Sequence, residues 1–187
     1  ANNTFSTGDD CISLKSGKDW SGRHVNISTD NVLIERNGFL AGHGVAIGGE
    51  TSGWVRDVIM RNSSYEGPVE AMVRIKSMRG RGGGVERVLY EDLRGVVEQA
   101  IQINLVYKKA KLTNATATPI VRDITVRNLQ IEATGQGSKG PLPIVDCDGL
   151  EESTVENLTV SNVILLGGAG KKQTCKYCEG RAVGHTT

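Results

Sequence analysis

Two adjacent carboxylates, Asp9 and Asp10, lie in the stretch Ser6-Thr7-Gly8-Asp9-Asp10-Cys11-Ile12-Ser13-Leu14. A carboxylate pair is the minimum equipment for splitting a glycosidic bond: one acid gives a proton and the other activates water. An inverting pair stands roughly 6.5–9.5 Å apart, which leaves room for that water. Neighbouring strand residues face opposite ways, so both acids reach one substrate only where the backbone twists. Gly8 is the residue expected to permit the twist. For the dipeptide alone, a solvated Asp-Asp turn is the plain alternative.

Three further clusters follow. His43 is flanked by Gly42 and Gly44, and glycines on both sides let backbone or ligand approach closely and leave the ring little cover. Arg74 and Lys76 are two residues apart, so a strand puts both on one face. There they can hold a carboxylate, Arg by a bidentate fork and Lys as a point charge. Tyr107 closes the alternating run Ile101-Gln102-Ile103-Asn104-Leu105-Val106-Tyr107. Each cluster alone has an ordinary structural explanation; the set in this order calls for a scaffold that gathers it.

That scaffold is written in a repeat. Val55-Arg56-Asp57-Val58-Ile59-Met60-Arg61-Asn62 is echoed from Val85, from Val121 and from Val155, and more loosely at Asn31-Val32-Leu33-Ile34. Every unit alternates apolar and polar residues, the mark of a half-buried strand. Glycine-rich turns separate the units (Gly42 to Gly49, Gly80 to Gly84, Gly135 to Gly140, Gly167 to Gly170) and no helix is predicted. Strands recurring without crossover helices predict stacked coils, a parallel β-helix, with Val58, Met60, Val88, Ile124, Val126, Leu158 and Val160 in one elongated core. Asn62, Asn128 and Asn162 end their strands at equivalent places, where stacked amides can bond between coils. The expectation is one domain over residues 1–187: site-bearing coils in 1–110, further coils in 111–170, and a terminal cap or tail in 171–187.

The 187 residues carry a net charge of +1, so no field argues for nucleic acid or an anionic membrane. No apolar run approaches the length that crosses a bilayer. Glycine is abundant at 24 and aromatics make up only 4%, which suits tight turns and an aliphatic core. The Cys175–Cys178 spacing has no second pair beside it; a local disulfide, or ordinary cysteines in a tail, is expected rather than a metal site. Asn2, Asn26, Asn62, Asn114 and Asn157 head Asn-x-Ser/Thr triplets. This excess leans towards secretion, although a strand pattern favouring Asn and Thr accounts for part of it.

In this order Gly-Asp-Asp, Gly-His-Gly, Arg-Ile-Lys and a later strand-end Tyr resemble glycoside hydrolase family 28, the polygalacturonases. The resemblance is most specific from Ser6 to Tyr107 and runs on loosely to Cys178. It implies a right-handed parallel β-helix that hydrolyses α-1,4-linked galacturonan with inversion, outside the cell and without metal or organic cofactor. It implies Asp9 as general acid, Asp10 as one of the water-activating carboxylates and His43 as the tuner of the acid. Arg74 and Lys76 would grip the substrate carboxylate, and Tyr107 would position the sugar.

Some features depart from the family pattern. The family's further aspartate, in an Asn-Thr-Asp motif one coil earlier, is not among these residues. A chain missing N-terminal coils is therefore expected, inactive by itself. Phe39 stands where many members have the cysteine that pairs with the one after Asp-Asp, which makes Cys11 a buried free thiol. Gly48-Gly49-Glu50-Thr51-Ser52-Gly53 is similar to a motif of exo-acting and bacterial members. A pectin polymer is the expected partner and a monomer the expected state. A β-helical pectate lyase is the enzymatic alternative; it needs spaced acidic calcium ligands and an arginine base. A non-catalytic β-helix binding acidic polysaccharide would keep Arg74 and Lys76 without needing Asp9, Asp10 and His43 together.

Overall fold

The computed structural model describes residues 1–107, 117–137, 140–166 and 173–186. The Asn114 triplet, the Gly167 to Gly170 turn and Lys171 lie outside the described residues, as does part of the Gly135 to Gly140 turn. In chain order the elements are β1 (Thr4–Ser6), β2 (Ile12–Leu14), α1 (Asp19–Val25), β3 (Thr29–Glu35), β4 (Gly38–Ala41) and β5 (Val45–Gly48). The long β6 (Val55–Lys76), β7 (Gly84–Asn104) and β8 (Ile120–Ala133) follow. After the two-residue β9 (Gln136–Gly137) and β10 (Gly140–Pro141) come β11 (Val145–Asp148), β12 (Val155–Leu166), β13 (Gln173–Lys176) and β14 (Cys178–Thr186).

Pairing is parallel throughout except in the small β9–β10 hairpin and at isolated bridges. The long strands show how the coils close. One stretch of β6 pairs with β3 (Val32↔Val58), the next with β4 (Phe39↔Tyr65) and the last with β5 (Ile47↔Ile75). A single strand of 22 residues therefore turns through three faces, the geometry of a parallel β-helix. The repeat seen in sequence stacks in register, with Val55 beside Val85, Val85 beside Val121 and Arg122 beside Glu156.

The inward residues form ladders. Val58, Val88 and Ile124 stack fully buried, as do Met60, Tyr90 and Val126. Phe5, Phe39 and Tyr65 stack ring on ring, with centroids 5.3 and 5.0 Å apart. Burying each such side chain contributes about 1.5–3 kcal/mol, and a coil can bury them only against its neighbours. Leu158 and Val160, expected in the same core, are only partly buried.

The corners are fixed by residues in the left-handed region. Asn31, Asp57, Arg87, Asp123 and Asn157 form one column of positive φ; Asn2, Arg36, Asn62, Asp92, Asn128 and Asn162 form a second. Asn and Asp tolerate this conformation better than other side chains. Their amides then bond between coils: Asn162 Nδ2 donates to Asn128 Oδ1 at 2.9 Å, Asn128 Nδ2 to Asp92 Oδ1 at 3.1 Å, and Asn157 Nδ2 to Asp123 Oδ1 at 2.7 Å. The asparagine ladder is thus present, shared with aspartate. It also explains the triplets at Asn2, Asn62 and Asn157, whose asparagines are corner residues.

Three expectations give way. A helix does form, α1, too short for a helical period to show and anchored through a buried Gly22. The stretch expected as a cap or tail carries paired strands: β13 pairs with β11 and β14 with β12. The disulfide is Cys147–Cys178 rather than a bridge within 175–178, because β11 lies beside β13 and brings Cys147 within reach of Cys178 at the next turn. Cys175 is free and exposed, and Cys11 is free and partly rather than fully buried.

Candidate active site

The acids sit at a bend between β1 and β2, and successive coils stack at that bend. His43 N–H donates to Asp9 O at 3.0 Å, and Glu70 N–H donates to Gly42 O at 3.0 Å. Backbone bonding thus places Asp9, His43 and Glu70 one above another on three coils. Thr7 Oγ1 donates to Asp9 O at 2.7 Å and braces the turn. Gly42, at φ +113°, lies directly beneath; a Cβ there would meet Thr7 Oγ1 at 2.3 Å and Asp9 O at 2.7 Å. A Cβ on Gly44 would meet Ala71 O at 2.7 Å. The glycines flanking His43 therefore serve close backbone approach. Gly8, by contrast, is not in the left-handed region, and a Cβ there would meet nothing within 4 Å. The twist expected of Gly8 is held by Thr7 and Gly42 instead.

Both carboxylates converge on one imidazole: His43 Nδ1 is 3.0 Å from Asp9 Oδ1 and 3.3 Å from Asp10 Oδ1. Their environments differ sharply. Asp9 keeps 85% of its side chain exposed, while Asp10 keeps 11%. Asp10 receives Lys76 Nζ on both oxygens, at 3.1 and 2.9 Å, and Ser13 Oγ at 3.0 Å. Burial acts to raise the Asp10 carboxyl, but Lys76 and Ser13 outweigh it and hold the group below the usual aspartate range. Asp9 is also lowered, chiefly because the Asp10 N–H donates to its Oδ1 at 2.7 Å. Both acids are thus ionised in the open site.

Arg74 and Lys76 share a strand face as expected, next to Ala46 and Gly48 of β5. Each is mostly buried, with 5% and 8% of the side chain exposed, and each already faces a carboxylate: Lys76 that of Asp10, Arg74 that of Glu70. Arg74 Nε is buried without a hydrogen-bond partner among the described residues. Tyr107 lies just beyond β7 rather than inside it; its N–H donates to Ser77 O at 3.2 Å and its ring is 5.3 Å from Lys76 Nζ.

Glu70 escaped the sequence reading. Its Oε2 stands 3.4 Å from His43 Nε2 and also pairs with Arg74, while Gln102 Nε2 donates to Oε1 at 3.4 Å. It joins the acid cluster to the cation floor. The one signal in sequence was its place four residues before Arg74, which puts the two on the same face of a strand. Asp9, Asp10 and His43 present ligand atoms within 4.8 Å of one another, yet the Lys76 ammonium already neutralises the inner carboxylate. The same 4.8 Å is shorter than an inverting pair requires, so Asp9 and Asp10 do not face each other across a sugar.

Fold and site together define a parallel β-helix that bears a carboxylate–imidazole cluster over buried cations. The chain belongs to glycosyl hydrolases family 28, whose family model matches residues 1–186. It is 29% identical over 172 residues to a polygalacturonase of Ralstonia nicotianae, covering 89% of this chain and 30% of that protein. It is 31% identical over 151 residues to an endo-polygalacturonase of Pectobacterium carotovorum, covering 77% of this chain and 35% of that one. The fold superposes on a hyperthermoactive exopolygalacturonase of Thermotoga maritima with a TM-score of 0.86 and 31% identity, over 97% of this chain and 40% of that one. The chain thus spans about a third of the length of the curated relatives it matches.

Proposed function

We propose that the protein carrying this chain hydrolyses α-1,4-galacturonosyl linkages of polygalacturonan with inversion, outside the cell. The observation that carries this reading is the convergence of Asp9 and Asp10 on His43 above buried Arg74 and Lys76. A neutral hexose polymer gives buried cations nothing to neutralise, whereas galacturonate places one carboxylate on every sugar. Arg74, paired with Glu70, and Lys76, paired with Asp10, supply the positive floor beneath the acid cluster, with the Tyr107 ring lying against Lys76.

Asp9 is the acid in this reading, exposed where a glycosidic oxygen can reach it. In the open site its carboxyl is held low, and a proton donor needs a pKa near the working pH. A sugar laid over Asp9 strips away water, which raises a carboxyl, so substrate itself loads the acid. Asp10, too close to Asp9 to oppose it across the sugar, stays charged on Lys76 beside the acid, and a carboxylate outside these residues would activate the water. Glu70 holds His43 from behind. Chain-end attack is the mode we infer, on the likeness of Gly48 to Gly53 to exo-acting members and on the Thermotoga neighbour. Secretion is supported by a substrate too large to enter a cell and by the Cys147–Cys178 bridge.

The test is the complete protein acting on polygalacturonate, followed by reducing-end release, product size and NMR of the first anomer. The β-anomer and short products from the earliest times are expected. Asp9→Asn should lower kcat by about 10²–10⁴-fold, the range of acid–base steps, with little change in binding. An α-anomer as first product, or normal turnover in Asp9→Asn, overturns the assignment.

A further inference from the structure

Outside the acid cluster, the short helix α1 carries a feature that its packing does not explain. The helix is held to the body by small and polar groups. A Cβ on Gly22 would meet Gly17 C and Ser52 Cβ at 2.7 Å, so the two segments touch through backbone. Arg23 Nη1 donates to Gly80 O at 2.6 Å and to Arg81 O at 3.2 Å, and Asp19 pairs with Arg81. Its large apolar side chains point the other way. Trp20 is 66% exposed and Val25 61%, and Ile27 just beyond is 70% exposed. They border a hollow of about 760 Å³ that includes Lys18.

An apolar side chain left in water by a well-anchored helix contributes nothing to folding, and a cluster of them marks a contact surface. The Trp20 indole is already laid flat: it stacks on His24 at 4.8 Å and 10° between planes. A flat, rigid ring with a polar edge suits a pyranose, whose C–H face is apolar and whose rim is polar.

Charge selects among sugars. Within residues 15–28 the bases are Lys15, Lys18, Arg23 and His24 against one acid, Asp19, whose half-exposed carboxylate pairs with Arg81. Arg23 is taken up by Gly80 O and Arg81 O and Lys15 by Glu50, so the charge the hollow offers a ligand is Lys18, beside the already paired Asp19. The surface is also tied to the acid cluster. Lys15, one residue after β2, pairs with Glu50 at 2.9 Å, and Arg81 Nε donates to Gly49 O at 2.6 Å. Gly49 in turn lies against the Tyr107 ring.

We propose that Trp20, stacked on His24 and flanked by Lys18, is a platform for an anionic uronate polymer, engaging sugars of the same strand beyond those in the cleft. The inference rests on the polygalacturonan reading, and its test separates the two. In an Asp9→Asn background of the complete protein, which leaves polymer intact, native gels containing polygalacturonate report binding by retardation. Trp20→Ala should weaken polygalacturonate binding roughly 2- to 13-fold, the scale of one lost aromatic stack, and Trp20→Phe should keep part of it. On the catalytically intact protein, Trp20→Ala should raise KM for the polymer while kcat/KM for a trigalacturonide stays within about twofold.

Unchanged polymer binding in Trp20→Ala overturns the proposal. So does an equal loss on polymer and trigalacturonide, or equal retardation by a neutral glucan. A shift of Trp20→Ala from dimer to monomer in sedimentation assigns the face to self-association and also overturns it. If the protein binds polygalacturonate through Trp20 but hydrolyses none, the platform stands and the catalytic reading falls. Normal hydrolysis with no Trp20 effect gives the reverse.

Discussion

Lys76 is the residue whose removal should be most informative. Its ammonium lies 2.9 and 3.1 Å from the two oxygens of Asp10, with 8% and 11% of the two side chains exposed. At 2.9 Å and an effective dielectric of about 20 the attraction is about 6 kcal/mol, and desolvation of the two ions takes back several of these. Lys76→Met leaves Asp10 buried with no cation on its oxygens. Breaking such a pair from one side costs about 3–5 kcal/mol, here towards the lower figure because some solvent still reaches Asp10.

The sign of its pH dependence follows from Asp10. In the wild type the folded carboxyl lies below the ordinary 3.8, so the pair's contribution is complete above that value. It is lost as pH falls through the folded pKa. In Lys76→Met the largest lowering cause is gone, Ser13 and Arg74 remain, and burial, which raises the group, weighs more; the carboxylate then destabilises the fold at neutral pH and stops doing so once protonated. Urea unfolding of the complete protein and the variant should show a gap of about 3 kcal/mol at pH 7 that narrows steadily towards pH 4. Asp10→Asn added to Lys76→Met should recover much of it at pH 7. A gap that stays flat with pH, or no recovery in the double variant, would refute the reasoning.

Two further outcomes test the frame. Gly42→Ala should cost about 2–4 kcal/mol, because a strained φ and a Cβ pressed on Thr7 and Asp9 O act together; circular dichroism melting reads it, and a loss under about 1 kcal/mol would contradict the packing under the acid turn. Asn128→Leu removes an amide that bonds both neighbouring coils and replaces a residue at home at φ +56°, so a loss of about 1.5–3 kcal/mol is expected, against a near-neutral change for the exposed Glu132→Gln.

What the sequence disclosed was what repetition disclosed. Val55, Val85 and Val121 occupy equal places in alternating strands, and equal places stack, so fold and register could be read from the pattern. The site was legible where a motif concentrates its residues, as in Asp9–Asp10 and Gly42–His43–Gly44. Glu70 was not, because it lies within a strand of 22 residues: Gly67-Pro68 marks the bend before it, but nothing nearby in the chain says that the bend faces His43. The Cys147–Cys178 bridge was hidden for a similar reason: its spacing is set by the length of a coil, not by neighbours in the chain. Asparagine triplets pointed to glycans until the corner conformation gave them another cause. Gly8 was credited with a twist that Gly42, 34 residues later but one coil away, makes room for.

The two corner columns have a consequence for how such a molecule can vary. From first column to second the count is always five: Asn31 to Arg36, Asp57 to Asn62, Arg87 to Asp92, Asp123 to Asn128, Asn157 to Asn162. From the second column around to the next first one it is not constant, running 21 residues from Arg36 to Asp57, 25 from Asn62 to Arg87, 31 from Asp92 to Asp123 and 29 from Asn128 to Asn157. One side of each coil is a fixed ruler and the other, which carries the acids, cations and α1, absorbs every insertion. Lengthening a loop there adds only a slowly growing closure entropy and leaves the hydrogen-bonded spine untouched. New substrate preferences can therefore be tried over the cleft without renegotiating the fold, and designed loops belong on that side alone.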